Sequence, residues 1–215
     1  MSTVKSVAGL YAILDTSLCT ARGFEPLTVL DAFLEGGARF IQLRDKSTAS
    51  RDRLSLADAC VARVHAAGGL LVVNDRADIA RLSGADGVHV GQDDLPVEDA
   101  RAIVGPDAIV GISTHDNDQV DAALKSTATY VAVGPIYGTA TKDTGYSARG
   151  LALIHHAAAG GRPVVAIGGI TLDRAVEVLD AGAASVAVIS DLLRDDPAEM
   201  VRRFRRRLDE AGSAR

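Results

Sequence analysis

Two aspartates stand at matching places in the chain. Asp75 ends the apolar run LLVVND, and Asp94 follows GVHVGQD nineteen residues later. Two carboxylates brought together repel each other unless something neutralises them. A divalent cation with oxygen ligands does so. Magnesium takes one or two carboxylates and leaves its other positions to water and substrate phosphate. A third run, RFIQLRD, leads into Gln42, Leu43, Arg44, Asp45 and Lys46. Alternation along an extended chain puts Gln42, Arg44 and Lys46 on one side, with Leu43 and Asp45 on the other. A planar guanidinium fork beside an ammonium point charge suits a phosphate or diphosphate. Acidic pair and cationic strand end together imply a magnesium-bound diphosphate, with Asp75 and Asp94 as the metal ligands.

Other apolar runs also end in polar groups. Asn74 precedes Asp75; an Asn or Asp there could merely cap the next helix, but Asp78 can serve that purpose and leave Asn74 free. GISTH ends in Ser113, Thr114 and His115. The segment VGPIYGTATKDTGY carries Thr139, Ala140, Thr141 and Lys142, whose hydroxyls beside a lysine suit an anion or a polar heterocycle. VVAIGGI offers Gly168 and Gly169, which let backbone N–H groups approach a phosphate closely. VAVIS offers Ile189 and Ser190, followed by a possible short helix, DLLRD. These ends form a second, backbone-built anion site. In GVHVGQDDLP, His89 reads as a satisfied packing residue, Gln92 is ambiguous, and Asp93 reads as turn chemistry before Pro96.

The elements that must position these groups alternate. Strands are predicted at 9–15, 39–45, 70–75, 87–92, 108–113, 130–135, 163–169 and 185–190, most of them nearly continuously apolar. Helices are predicted at 26–36, with Leu27, Leu30, Phe33 and Leu34 on one face, and at 50–67, with Leu54, Ala57, Val61 and Val64. A third is predicted at 171–181, capped by Thr171 and striped by Ala175, Val178 and Leu179. Gly37, Gly69 and Gly161 stand at helix ends. Eight strands alternating with helices fit a (β/α)8 TIM barrel, whose active site lies at the C-terminal strand ends. An open doubly wound sheet would want a GxGxxG turn after the first strand, and LDTSLCTARG lacks it. The chain reads as a single catalytic domain over 1–215, with no linker or low-complexity stretch.

A net charge of −5 gives no reason to expect nucleic acid as the main partner. In MVRRFRRRLDEAG, Val201, Phe204 and Leu208 make an apolar stripe, so its arginines read as the solvated face of a last helix. His155 and His156, adjacent on a helix, diverge and do not suggest a shared metal. Cys19 and Cys60 have no metal-type spacing and read as reduced packing residues. The N-terminus does not look like a signal peptide, and no apolar run is long enough to span a bilayer. A cytoplasmic protein acting on small molecules, a possible homo-oligomer without membrane or nucleic-acid partners, is the expectation.

The motifs QLRDK, NDRADIA, GVHVGQDDLP, GISTH, YVAVGPIYGTATKDTGY, VVAIGGI and VAVIS, in this order over about residues 9–193, resemble the thiamine-phosphate synthase (thiamine-phosphate pyrophosphorylase) family. The resemblance implies a transferase that joins 4-amino-2-methyl-5-(diphosphooxymethyl)pyrimidine to a thiazole phosphate or its carboxylated form, releasing diphosphate. It implies pyrimidine-diphosphate contacts from Gln42, Arg44, Lys46, Asn74, Ser113 and Lys142, and magnesium on Asp75 and Asp94. It implies a thiazole-phosphate site at Thr139, Thr141, Gly169, Ile189 and Ser190. Arg44, Lys46, Ser113 and Lys142 are the expected catalytic groups, and Leu43, Asp45, Ala140 and Gly168 complete the expected substrate-contacting segments. The family most often has Glu where this chain has Asp45. A thiazole tautomerase and a non-catalytic phosphate-ligand-binding barrel are the competing readings; neither needs the Asp75–Asp94 pair together with Arg44, Lys46 and Lys142.

Overall fold

The computed structural model describes residues 7–138 and 146–213. Among them eight strands close a barrel in chain order: β1 (Gly9–Asp15), β2 (Phe40–Arg44), β3 (Leu70–Asn74), β4 (Gly87–Val90), β5 (Ile109–Thr114), β6 (Tyr130–Val133), β7 (Val164–Ile167) and β8 (Ser185–Val188). Every neighbouring pair is parallel, and β8 returns to β1 with Gly9 opposite Ser185. The crossovers hold the helices α1 (Thr16–Ala21), α2 (Pro26–Glu35), α3 (Ser50–Ala66), α4 (Ala77–Ser83), α5 (Val97–Val104), α6 (Asn117–Lys125), α7 (Ala152–Ala158) and α8 (Ala175–Asp180). A 3-10 turn, Ser190–Leu193, and α9 (Pro197–Ser213) follow β8. This is a (β/α)8 TIM barrel.

Strand alternation divides the apolar residues into two cores. Outward-facing Ile41, Leu43, Leu71, Val73, Val110 and Val131 join the helices in one large cluster. Inward-facing Tyr11, Ile13, Phe40, Val72, Ile109 and Tyr130 fill the barrel in another. Tyr11 and Phe40 stack at 3.8 Å, and Tyr130 meets both edge-on. The inward glycines make room for this plug: a Cβ on Gly87 would lie 1.9 Å from the Ile109 carbonyl oxygen. Along α9, Val201, Phe204 and Leu208 are buried, each worth roughly 1.5–3 kcal/mol of apolar transfer. The arginines between them face solvent or ion-pair with surface carboxylates such as Glu35 and Glu199. No helix among the described residues is long and apolar enough to cross a membrane.

Several local expectations are corrected. The helix expected from Thr171 begins at Ala175, with Arg174 as its N-cap, because residues 171–174 form a turn of their own. Gly68, at φ 73°, is the left-handed residue after α3, not Gly69. Asp78 lies in the first turn of α4, bonded to Arg76, and does not cap it. Strands β6 to β8 are each shorter than predicted, since their last residues already belong to the loops. Cys19 and Cys60 are buried free thiols that burial pushes up to about 11 and about 12, consistent with packing residues.

Candidate active site

A cavity of ≈ 330 Å³ opens at the C-terminal ends of the strands. Inward parity carries Gln42 and Arg44 from β2, Asn74 from β3, His89 from β4 and Ser113 from β5 to its wall. The same parity turns Leu43 and Asp45 away. Leu43 packs in the outer core, and the buried Asp45 carboxylate accepts from Thr16 Oγ1 at 3.2 Å and from the Ser47 and Thr48 backbone N–H groups. These hydrogen bonds hold the Asp45 carboxyl below the usual carboxylate range despite its burial. Neither side chain lines the cavity, as the alternation expects.

Beyond β3 the backbone turns sharply. Asp75 adopts φ 63°, the left-handed region that a non-glycine residue rarely occupies and that costs about 1–2 kcal/mol. Its N–H donates to the His89 carbonyl at 2.7 Å, tying the turn to β4. The Asp75 carboxyl thereby faces Asp94, whose Oδ2 accepts from Gly91 N–H at 2.8 Å. Burial first, and then the neighbouring Asp94, raise the Asp75 carboxyl above its ordinary value, while Lys46 Nζ, 3.2 Å from Asp75 Oδ2, pulls the other way. Arg44 is ion-paired with Asp15, the N-cap of α1. Arg44 at the end of β2 and Lys46 just beyond it therefore both have carboxylate partners at the cavity.

Two facing carboxylates of which one resists ionisation make a suitable donor set for a divalent cation. No group of three or more His, Cys, Asp or Glu side chains suited to a metal occurs among the described residues. Two protein carboxylates fit magnesium, which keeps water and substrate oxygens in its other positions, better than a closed protein cage.

The opposite wall is built from backbone. Gly168 and Gly169 have φ 100° and 64°. A Cβ on Gly168 would lie 2.5 Å from Pro135 Cα, and one on Gly169 would lie 2.6 Å from the Gly138 carbonyl oxygen. Their bareness lets the segment after β6 press against the end of β7, where Tyr137 N–H donates to Gly168 O at 3.0 Å. Ile189 and Ser190 also line this side, and Arg22 Nη1 holds the Ser190 carbonyl at 3.0 Å. The expected contacts Thr139, Ala140, Thr141 and Lys142 lie outside the described residues.

Residues 10–192 match the family model described as thiamine monophosphate synthase. The chain belongs to that family. The thiamine-phosphate synthase of Mycolicibacterium paratuberculosis is 52% identical over 174 residues, 74% of this chain and 76% of that protein. The thiamine-phosphate synthase of Acidothermus cellulolyticus is 46% identical over 186 residues, 85% of this chain and 87% of that one. Among solved structures, the thiamine phosphate pyrophosphorylase from Pyrococcus furiosus matches with a TM-score of 0.87 at 30% identity, covering 97% of this chain and 99% of that one.

At or beside this family member's cavity stand several groups to which the sequence assigned no role. Arg174 reaches it from the turn before α8, donating to Gly169 O at 2.9 Å and lying over the Tyr137 ring. Asp191 lines it too, its Oδ2 accepting from Leu172 N–H at 3.0 Å. His115, a polar strand-end residue, also lines it and stacks on Tyr146 at 4.1 Å. Gln92, left ambiguous, donates to the Ser113 carbonyl at 2.5 Å and so braces β5. Tyr11 reaches the floor from within a run that reads as plain core. A tyrosine buried on a strand needs a hydroxyl partner, which is the signal that could have exposed it.

Proposed function

We infer that this chain is a transferase with thiamine-phosphate synthase activity, acting over 1–215 as one catalytic domain on small-molecule substrates. It displaces diphosphate from a (diphosphooxymethyl)pyrimidine with the nitrogen of a thiazole phosphate. The observation that carries this reading is one cavity with two unlike walls, one bearing Arg44, Lys46, Asp75 and Asp94 and one built from glycine backbone, in a chain whose family match spans 10–192.

The bond from the pyrimidine methylene carbon to the diphosphate oxygen breaks, and its electron pair leaves with the oxygen. The thiazole nitrogen supplies the pair for the new C–N bond, so no side-chain nucleophile is needed. An electron-rich aminopyrimidine stabilises the cation formed if the first bond breaks early. The protein's task is then to stabilise the departing charge and hold the nitrogen in place while excluding water. Arg44 and Lys46 face that charge, Ser113 donates to it, and Lys142 joins them by resemblance to the family. Gln42 and Asn74 orient the pyrimidine. Gly168, Gly169, Ile189 and Ser190, with Thr139 and Thr141, would hold the thiazole phosphate. Asp75 and Asp94 would hold magnesium, which would supply positive charge to neutralise the diphosphate oxygens.

The test is direct. Purified protein with both substrates and magnesium is expected to form thiamine phosphate and diphosphate, read by chromatography. Retained binding of thiazole phosphate with no product would overturn the synthase reading.

A further inference from the structure

A chain of hydrogen bonds crosses the barrel beneath the cavity floor. Gln42 Nε2 donates to the Tyr11 hydroxyl at 3.0 Å. The Tyr11 and Tyr130 hydroxyls are 3.1 Å apart, Tyr130 Oη lies 2.9 Å from His89 Nδ1, and His89 Nε2 lies 2.8 Å from Ser113 Oγ. The chain begins on β2 and ends on β5, at two residues that line the cavity. Its centre, Tyr130, is fully buried and is not part of the lining.

The links impose a direction. An amide nitrogen donates and does not accept, so Gln42 fills the acceptor side of Tyr11. A phenol oxygen can accept twice, so the direction follows from the protons: among the described residues the Tyr11 proton has only the Tyr130 oxygen to reach, and the Tyr130 proton then has only His89 Nδ1. A neutral imidazole that accepts at one nitrogen carries its proton on the other, so Nε2–H donates to Ser113. Ser113 Oγ accepts, and its own proton is left to donate into the cavity. Burial drives both phenol pKa values up, so both remain donors.

Packing independently reserves the path. A Cβ on Gly111 would lie 2.1 Å from Tyr130 Cζ and 2.4 Å from its hydroxyl oxygen. The His89 ring lies within 15° of parallel to Tyr130, and Tyr11 is clamped on Phe40. The rings thus have little freedom to turn their polar atoms elsewhere.

We propose that Tyr11, Tyr130 and His89 are positioning residues that fix the Ser113 hydroxyl as a donor into the cavity and leave the Gln42 amide oxygen as an acceptor. On the synthase reading, on which the kinetic part rests, the Ser113 proton meets the departing diphosphate. A hydroxyl already aimed there stabilises developing charge without reorganising during the reaction.

The chain predicts one His89 tautomer. Nitrogen-15 NMR of histidine-labelled, unliganded protein is expected to show Nε2 protonated and Nδ1 bare. In Tyr130→Phe, which keeps the ring, the tautomers are expected to mix, with kcat falling on the order of tenfold and the KM for thiazole phosphate unchanged. His89→Gln can still donate to Ser113 from the position of Nε2; it is expected to retain more turnover than His89→Asn, which should match Ser113→Ala. A wild-type His89 protonated at Nδ1, or a Tyr130→Phe enzyme with unaltered kcat, would overturn the proposal. The spectrum needs no turnover, so it decides the hydrogen-bond chain even if the synthase reading fails.

Discussion

At the ends of β2 to β4 the cavity is faced by the charged side chains Arg44, Lys46, Asp75 and Asp94 among neutral polar groups; at the ends of β7 and β8 glycine backbone and a 3-10 turn face it, with Arg174 and Asp191 beside them. The charged rim is already internally paired, Arg44 with Asp15 and Lys46 with Asp75. A ligand there exchanges ion-pair partners, and a cation between Asp75 and Asp94 would relieve their mutual repulsion. The glycine rim instead depends on closeness, since both glycines are pinned between β7 and the segment after β6. A rim of charges fails when a charge is lost; a rim of backbone fails when a methyl is gained.

The largest effect should come from the charged rim. Asp94→Ala removes half of the carboxylate pair from an exposed turn, so the fold should survive. Loss of one preorganised electrostatic group aimed at developing charge costs on the order of 10²–10³-fold in kcat. An undiminished rate at saturating magnesium would break the division of labour between the rims.

A smaller effect should come from the other side. Gly169→Ala forces a Cβ to within 2.6 Å of the Gly138 carbonyl at a residue with φ 64°. Thiazole-phosphate affinity measured by titration calorimetry should fall on the order of tenfold, while magnesium-dependent binding of the pyrimidine diphosphate is retained. Because this glycine also seats the segment after β6, a drop in both affinities would show that its packing role outweighs its phosphate role.

What could be read from the sequence follows the same divide. Period-two alternation was enough to place Gln42, Arg44 and Lys46 on the cavity wall and Leu43 off it, since a strand offers only two faces. The eight apolar runs gave the barrel for a similar reason. Backbone conformation is less legible: the run LLVVND placed Asp75 at a strand end beside Asp94, but nothing in it announced the left-handed backbone at Asp75. Arg174 was missed because helical spacing swept 171–174 into a helix that starts later. Tyr11 and Tyr130 sat within runs that look purely apolar, although their hydroxyls required partners on other strands.

The smallest effect is on stability, and it tests whether the charged rim is strained when empty. The Asp75 carboxyl is raised, so its ionised form is disfavoured in the fold relative to the unfolded chain. The contribution is favourable at low pH and is lost as pH rises through the raised value. Asp75→Asn removes that penalty, and asparagine tolerates the left-handed backbone at this position. Without divalent ions the variant should therefore melt higher than wild type at neutral pH, by about 2–4 °C if the relief is about 1 kcal/mol. The difference should shrink as pH falls below the ordinary carboxylate range, where both chains are neutral there. Added magnesium should raise the wild-type melting temperature more than that of the variant, because a cation that binds only the folded pair stabilises it. A variant that melts lower at neutral pH would mean that the Lys46 ion pair, and not the Asp94 repulsion, governs this side of the cavity.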